Sequence, residues 1–168
     1  MSEISNRVKW ALEIMGFSYE TICHLSPLSL SGGEKRRVAI AGILAIRPDY
    51  LLLDEPIAGL DPIIRHKFMQ LLQKLNQDGM TILMISHNAD CISECTKRLL
   101  VLEKGYLIAD NTTHHLFSDM DWITSHQLGI SQSKLISYEL QKRGWNIPKN
   151  VITYEELLHS LQTIIQNR

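Results

Sequence analysis

Two strand-length runs, Tyr50–Leu53 and Thr81–Ile85, flank a segment patterned as a helix, and this arrangement constrains the fold more than any other feature. Tyr50-Leu51-Leu52-Leu53 is apolar at every position, not at alternate ones, which is the pattern expected of a parallel strand buried on both faces. The segment between the runs begins at Asp61-Pro62, an N-cap residue followed by proline at the first helical position. Ile64, Phe68, Leu71, Leu72 and Leu75 then line one face, and Gly79 closes the helix. Strand, helix, strand at this spacing predicts an α/β domain with parallel strands.

The flanking sequence extends that domain in both directions. Ile4, Val8, Leu12 and Met15 recur at helical spacing over residues 3 to 15, with Gly16 as a stop. After a polar loop through Ser26-Pro27, Ser31 and Glu34 fit a capping box that opens a helix running to about Ile46, ended by Arg47-Pro48-Asp49. Ser86-His87 sits at the carboxyl end of the second strand, and a short helix around Ala89 to Glu94 leads to a strand at Arg98 to Leu102. Lys104-Gly105 turns that strand into Tyr106 to Ala109, a hairpin. Composition shifts after Asp110. Residues 112 to 168 read as a small helical domain with breaks at Gly129, Gly144 and Trp145 to Lys149. A second capping box, Thr153 to Glu156, opens a last helix carrying Leu157, Leu158, Leu161 and Ile165.

Composition excludes several function classes. A net charge of -1 gives no basic excess with which to bind a phosphate backbone, so nucleic acid is not the expected partner. No apolar run approaches the ~20 residues of a membrane span, and the N-terminus shows no secretory h-region, so any membrane role is expected to be peripheral and through a partner. Cys23, Cys91 and Cys95 are too sparse for a disulfide framework and suit a reducing cytosol. His87, Cys91 and Cys95 fall at successive i+4 steps. His87 precedes the helix, however, and no fourth ligand stands nearby, so burial of the cysteines is favoured over a metal site.

The chemistry concentrates in three places. Gly32 and Gly33 follow Ser31 at a helix start, where free amides and the helix dipole attract an anion and glycine permits close approach. Ser31 can add a hydrogen bond to a terminal phosphate oxygen; capping alone does not account for the glycine pair. Asp54, at the end of the first strand, can hold Mg²⁺ beside phosphates, and Glu55 can accept a proton from an attacking water. That position is the crevice where α/β sheets bind ligands. His87, after its own strand, can contact a terminal phosphate and sense its loss, although a lone histidine is more often structural. Asp61 is a helix cap first.

In this order and spacing, Leu30-Ser31-Gly32-Gly33-Glu34, the strand ending in Asp54-Glu55-Pro56, Ala58-Gly59-Leu60-Asp61, and His87 resemble the signature motif, Walker B, D-loop and switch histidine of the ABC ATPase family. The resemblance covers nearly all of residues 1 to 110. It implies the C-terminal portion of a P-loop NTPase (ABC ATPase) fold with ATP and Mg²⁺ as cofactors. Residues 1–30 would be a remnant of the helical subdomain, 31–110 the signature, Walker B and switch-histidine part, and 111–168 a helical C-terminal domain for dimerisation. The implied roles are catalytic for Glu55 and His87, nucleotide binding for Ser31, Gly32, Gly33, Glu34 and Asp61, and metal binding for Asp54, with Asp61 reaching across a dimer interface. More narrowly, Glu34 to Gly42, Leu53 to Pro62 and the tail Leu140 to Leu158 resemble the ATPase subunits of energy-coupling factor transporters, the cobalt and vitamin importers of prokaryotes. That implies nutrient import, a second ATPase subunit (identical or paralogous), a transmembrane transporter component, and a place at the cytoplasmic face of the cell membrane. Departures are small: Glu34 stands where glutamine is common, and Ile57 where threonine is usual.

No G-x-x-x-x-G-K-[ST] occurs in the 168 residues, and no glutamine loop precedes the signature. The expectation is a truncated chain, inactive alone, with low solubility because losing the Walker A strand that pairs beside Walker B would leave apolar edge and face exposed. Paired with an intact cassette, it would complete one ATP site with Ser31, Gly32 and Gly33, while the site holding Asp54, Glu55 and His87 stays silent. A non-hydrolytic regulator or degenerate remnant is the alternative, discriminated by whether a Walker A segment is encoded just upstream of Met1. Chromosome-maintenance ATPases share the motifs, but the C-terminal tail argues for transport.

Overall fold

The computed structural model describes residues 3–166. They form two compact units that meet in sequence at Ile85/Ser86.

In the first unit, α1 (Glu3–Ile14) is followed by a short α2 (Tyr19–Ile22), a 3-10 turn at Pro27–Ser29, α3 (Gly32–Ile46), β1 (Tyr50–Asp54), α4 (Pro62–Gln77) and β2 (Thr81–Ile85). The capping signals act as their side chains require. Asp61 Oδ1 accepts from the Ile63 and Ile64 amides at 3.1 and 3.0 Å, satisfying two donors that no helical carbonyl can reach. Phe68, Leu71, Leu72 and Leu75 on the expected face of α4 are buried. α1 packs against α3 and α4, and α4 packs against β2. Arg37 of α3 reaches α1's exit, donating to Met15 O at 3.1 Å while its guanidinium lies 4.5 Å above the Phe17 ring. Gly16 at that exit has φ +82°, and a Cβ there would stand 3.2 Å from Ile64 Cδ1, so both backbone and packing require glycine.

β1 and β2 pair in parallel with Asp54 opposite Ile85, so both strands finish at one edge. Burial on both faces, expected from the unbroken apolar run, is not what β1 shows. Leu51 and Leu53 are 2% and 6% exposed, whereas Tyr50 and Leu52 are 72% and 71% exposed. Leu83 and Ile85 of β2 are exposed as well. Successive side chains on a strand point to opposite faces, and in this two-stranded sheet only one face is covered. The composition suits a doubly covered sheet; the packing within this unit supplies half of it. Ile4, at the start of α1, likewise lies outside the core, at 74% exposure.

The second unit holds α5 (Ala89–Cys95), a β3–β4 hairpin (Arg98–Glu103 and Tyr106–Thr112), α6 (Thr113–Ser118), α7 (Met120–Ser125), α8 (Gln132–Lys142) and α9 (Tyr154–Gln166). The hairpin is antiparallel with a register shift between Val101 and Leu102. It packs on α6, and α5 packs on α6 too, which is why the hairpin belongs with the helices and the division falls at residue 85 instead of near 110. Ala89, Phe117, Ile123 and Ile152 form one core cluster; Ile147, Val151 and Leu157 form another, flanked by Trp145 and Leu161. Of the last helix's apolar residues, Leu157 and Leu161 pack inward, whereas Leu158 and Ile165 are exposed. Among the described residues no helix is long and apolar enough to cross a membrane.

Candidate functional site

The start of α3 is a complete capping box. Ser31 Oγ accepts from the Glu34 amide at 3.3 Å, and Glu34 Oε2 accepts from the Ser31 amide at 2.8 Å. The Glu34 carboxylate is thereby directed back onto Ser31, and the Ser31 hydroxyl and amide hold its pKa below the ordinary glutamate value. A hydroxyl carries one donor besides its acceptor lone pairs; that of Ser31 is shared with the Glu34 carboxylate, so donating it to an outside oxygen would take it from Glu34 while the cap to the Glu34 amide stays. Ser31 and Gly32 are exposed. A Cβ built on Gly32 would meet nothing within 4 Å, and one on Gly33 would make only ordinary contact, 3.7 Å from Gly59 O. Neither packing nor backbone conformation within this chain therefore calls for glycine here. What the pair does provide is an open helix N-terminus into which a phosphate can be drawn closely.

The strand-end carboxylates lie in the same unit. β1 delivers Asp54 at its last position, exposed, and the chain turns sharply at Glu55, which adopts φ +45°. A non-glycine residue in this left-handed region costs on the order of 1–3 kcal/mol unless its surroundings hold it there. Two features do so. The Glu55 amide donates to Ile85 O at 2.9 Å, extending the β1–β2 ladder by one bond. Arg36, one turn into α3, donates through Nη2 to Asp54 O at 2.8 Å and also to Glu55 O, while Nη1 reaches Ala58 O at 3.5 Å. Hydrogen bonds from a charged donor are worth about 1.5–3 kcal/mol each, enough to offset the strain at Glu55. Arg36 appears in the motif, but its spacing on a helix gives no hint that the guanidinium ends on another element's carbonyls.

Asp61 caps α4 just beyond this turn, with Gly59 at φ +75° between it and Glu55. Ser31, Gly32 and Gly33 are thus brought beside the Asp54–Leu60 turn through Arg36 and the Gly33–Gly59 approach. His87 belongs to the second unit, exposed in the loop between β2 and α5. Asn88 Oδ1 accepts from the Cys91 amide at 2.8 Å and so starts α5 after, not at, His87. Gly129 packs against this loop: a Cβ there would stand 3.2 Å from Ala89 Cβ. Cys91 is buried, and burial, with the neighbouring Cys91 and Glu94, pushes the Cys95 thiol up to about 12. Among the described residues no cluster of three or more histidine, cysteine or acidic side chains is placed to hold a metal ion.

The ABC transporter family model matches residues 3–58. The chain's similarity to ATP-binding proteins of that family runs over most of its own length. It is 41% identical over 162 residues to the energy-coupling factor transporter ATP-binding protein EcfA2 of Latilactobacillus sakei, covering 96% of this chain and 55% of that protein. It is 38% identical over 166 residues to EcfA2 of Clostridium perfringens, covering 98% of this chain and 58% of that protein. The chain thus spans little more than half the length of these curated relatives. Among solved structures it is similar to the dimeric ATP-binding cassette MJ0796 in a post-hydrolysis state bound to ADP and Pi. There the TM-score is 0.59 and identity 33%, over 64% of this chain and 46% of that one.

Proposed function

We propose that these 168 residues supply the signature and carboxylate edges of an ATPase that drives nutrient import through a transmembrane partner, as part of an energy-coupling factor system. The observation that carries this reading is the open glycine start of α3, which nothing in the chain's own packing explains. Ser31 Oγ–H and the amides of Gly32 and Gly33 would hold terminal phosphate oxygens, and the start of α3 favours their negative charge. Asp54 would hold Mg²⁺ through its exposed carboxylate. Glu55, fixed at its turn, would take the proton from an attacking water, a contribution of ~10²–10⁴-fold when positioned. His87 would donate to the terminal phosphate, and Asp61, besides capping α4, would face a second subunit. Glu34 would act by holding Ser31. Magnesium-bound ATP supplies the phosphoanhydride whose cleavage is coupled to transport. The cradle for the β- and γ-phosphates comes from residues outside this sequence, in a second ATPase subunit for the site that Ser31 completes. The helices beyond residue 111 serve the pairing of subunits, and the whole rests on the cytoplasmic face of the membrane through the transmembrane component.

A mixed dimer of this chain with an intact cassette tests the reading. Ser31→Ala should abolish ATP turnover, whereas Glu55→Gln should leave it nearly unchanged, because the site completed by Ser31 draws its carboxylates from the other subunit. Equal losses from the two substitutions would overturn the assignment.

A further inference from the structure

We infer that Arg36 is a positioning residue that locks the helix start Ser31–Gly33 to the Asp54–Glu55 turn, so that the two nucleotide-facing edges of one chain move as a single body. The guanidinium leaves α3 one turn beyond the capping box and ends on three carbonyls of the other edge: Asp54 O at 2.8 Å, Glu55 O, and Ala58 O at 3.5 Å. Both carbonyls that flank the Glu55 α-carbon are held by one planar donor. That arrangement fixes the left-handed φ of +45°, and with it the direction in which the Glu55 side chain leaves the backbone. The helix start lies beside the same turn: a Cβ built on Gly33 would stand 3.7 Å from Gly59 O.

The functional meaning of this lock rests on the proposed ATPase reading. There the helix start and the carboxylate turn of one chain serve two different ATP sites. A displacement of Ser31–Gly33 when phosphate arrives or leaves would then be passed by Arg36 to the turn carrying Glu55, and the reverse. Lysine at this position keeps the charge but is a single point donor, without the planar fork that spans neighbouring carbonyls.

Amide hydrogen exchange on the full 168-residue chain reads the lock without any nucleotide. Arg36→Lys and Arg36→Gln are each expected to speed exchange at Ala58 and Leu60 about tenfold, the loss of roughly one charge-assisted hydrogen bond, while the interior of α4 keeps its protection. Adding Glu55→Gly, which removes the strain that Arg36 offsets, should shrink that tenfold effect. A uniform rise across residues 3–85, or no rise at all, would show that Arg36 contributes only general packing or nothing. The mixed dimer gives the second readout, through the helix start that its working site uses: Arg36→Lys in this chain should lower kcat about tenfold with KM for ATP nearly unchanged, because Ser31–Gly33 lose their anchor on the turn while the phosphate-holding groups remain. If the wild-type mixed dimer shows no turnover, the ATPase reading fails and the exchange result alone decides the lock. If it turns over and Arg36→Lys does not slow it, Arg36 does not position the helix start for turnover and the ATPase reading stands.

Discussion

The two units of this chain handle polar groups in opposite ways. The first carries its chemistry on exposed turns and leaves Tyr50, Leu52, Leu83 and Ile85 of a parallel sheet open to solvent. The second draws polar groups inside and satisfies them. Lys134 is 2% exposed, and its ammonium donates to Ser118 O at 2.9 Å and Lys149 O at 2.7 Å. Ser131 Oγ donates to Ile152 O at 2.9 Å, and the Thr96 and Thr113 hydroxyls bond each other at 2.8 Å. Parallel strands are almost always covered on both faces, so the first unit is shaped for further contact on its sheet, whereas the buried polar groups of the second find their partners within it.

The sharpest way to break this contrast uses neighbouring leucines on one strand. Leu51→Ala should cost about 2–5 kcal/mol in urea unfolding, as for any buried leucine emptied to a cavity. Leu52→Ala should change stability by no more than about 0.5 kcal/mol and should reduce self-association measured by sedimentation. A large stability loss at Leu52 would mean that its face is covered after all. In the second unit, Lys134→Met should lower stability by about 1–3 kcal/mol, because the Ser118 and Lys149 carbonyls lose their donor. An unchanged thermal melt there would show that water replaces the ammonium freely and that the unit's polar interior is not sealed.

The smallest effect concerns acid. Burial pushes the Glu156 carboxyl up, but the Ile152 and Thr153 amides, with His114 nearby, outweigh it and hold the pKa below the ordinary value. A carboxyl depressed on folding contributes stability above its unfolded pKa, about 4.3, and loses it as pH falls through the lower folded value. Thermal melts of Glu156→Gln should therefore depend less on pH below that point than those of the wild type, so that the gap between the two is widest near neutrality and narrows in acid. Equal acid dependence in both would place the titrating group elsewhere.

Much of this was legible in local sequence. The capping boxes at Ser31 and Thr153, the proline-started helix at Asp61 and the strand ending at Asp54 all act through contacts within a few residues, which pattern reading captures. What escaped it depends on distance in the chain. The bare face of β1 is invisible because composition records how apolar a strand is and not how many neighbours it finds. Lys134 reads as surface charge until the backbone carbonyls that receive it are placed, 15 and 16 residues away. Arg36 belongs to the recognisable motif, yet its role lies 18 to 22 residues along, on carbonyls that carry no residue identity at all. The motif residues could be named from type and spacing; the residue that sets their backbone could not.

The parallel register of Tyr50–Asp54 against Thr81–Ile85 has a consequence for how this stretch can change in length. Added residues in the polar loop around Ser26, or between Trp145 and Lys149, would lengthen a surface connection at little energetic cost. One residue inserted within β1 would turn Leu51 and Leu53 outward, bring Leu52 inward and carry Asp54 past its place opposite Ile85, out of reach of Arg36. Substitution in β1 is a matter of degree, because a neighbouring side chain can adjust. Insertion there is a matter of parity for the leucines and of register for the carboxylate: two added residues would return Leu51 and Leu53 to the covered face yet still displace Asp54 from its place opposite Ile85.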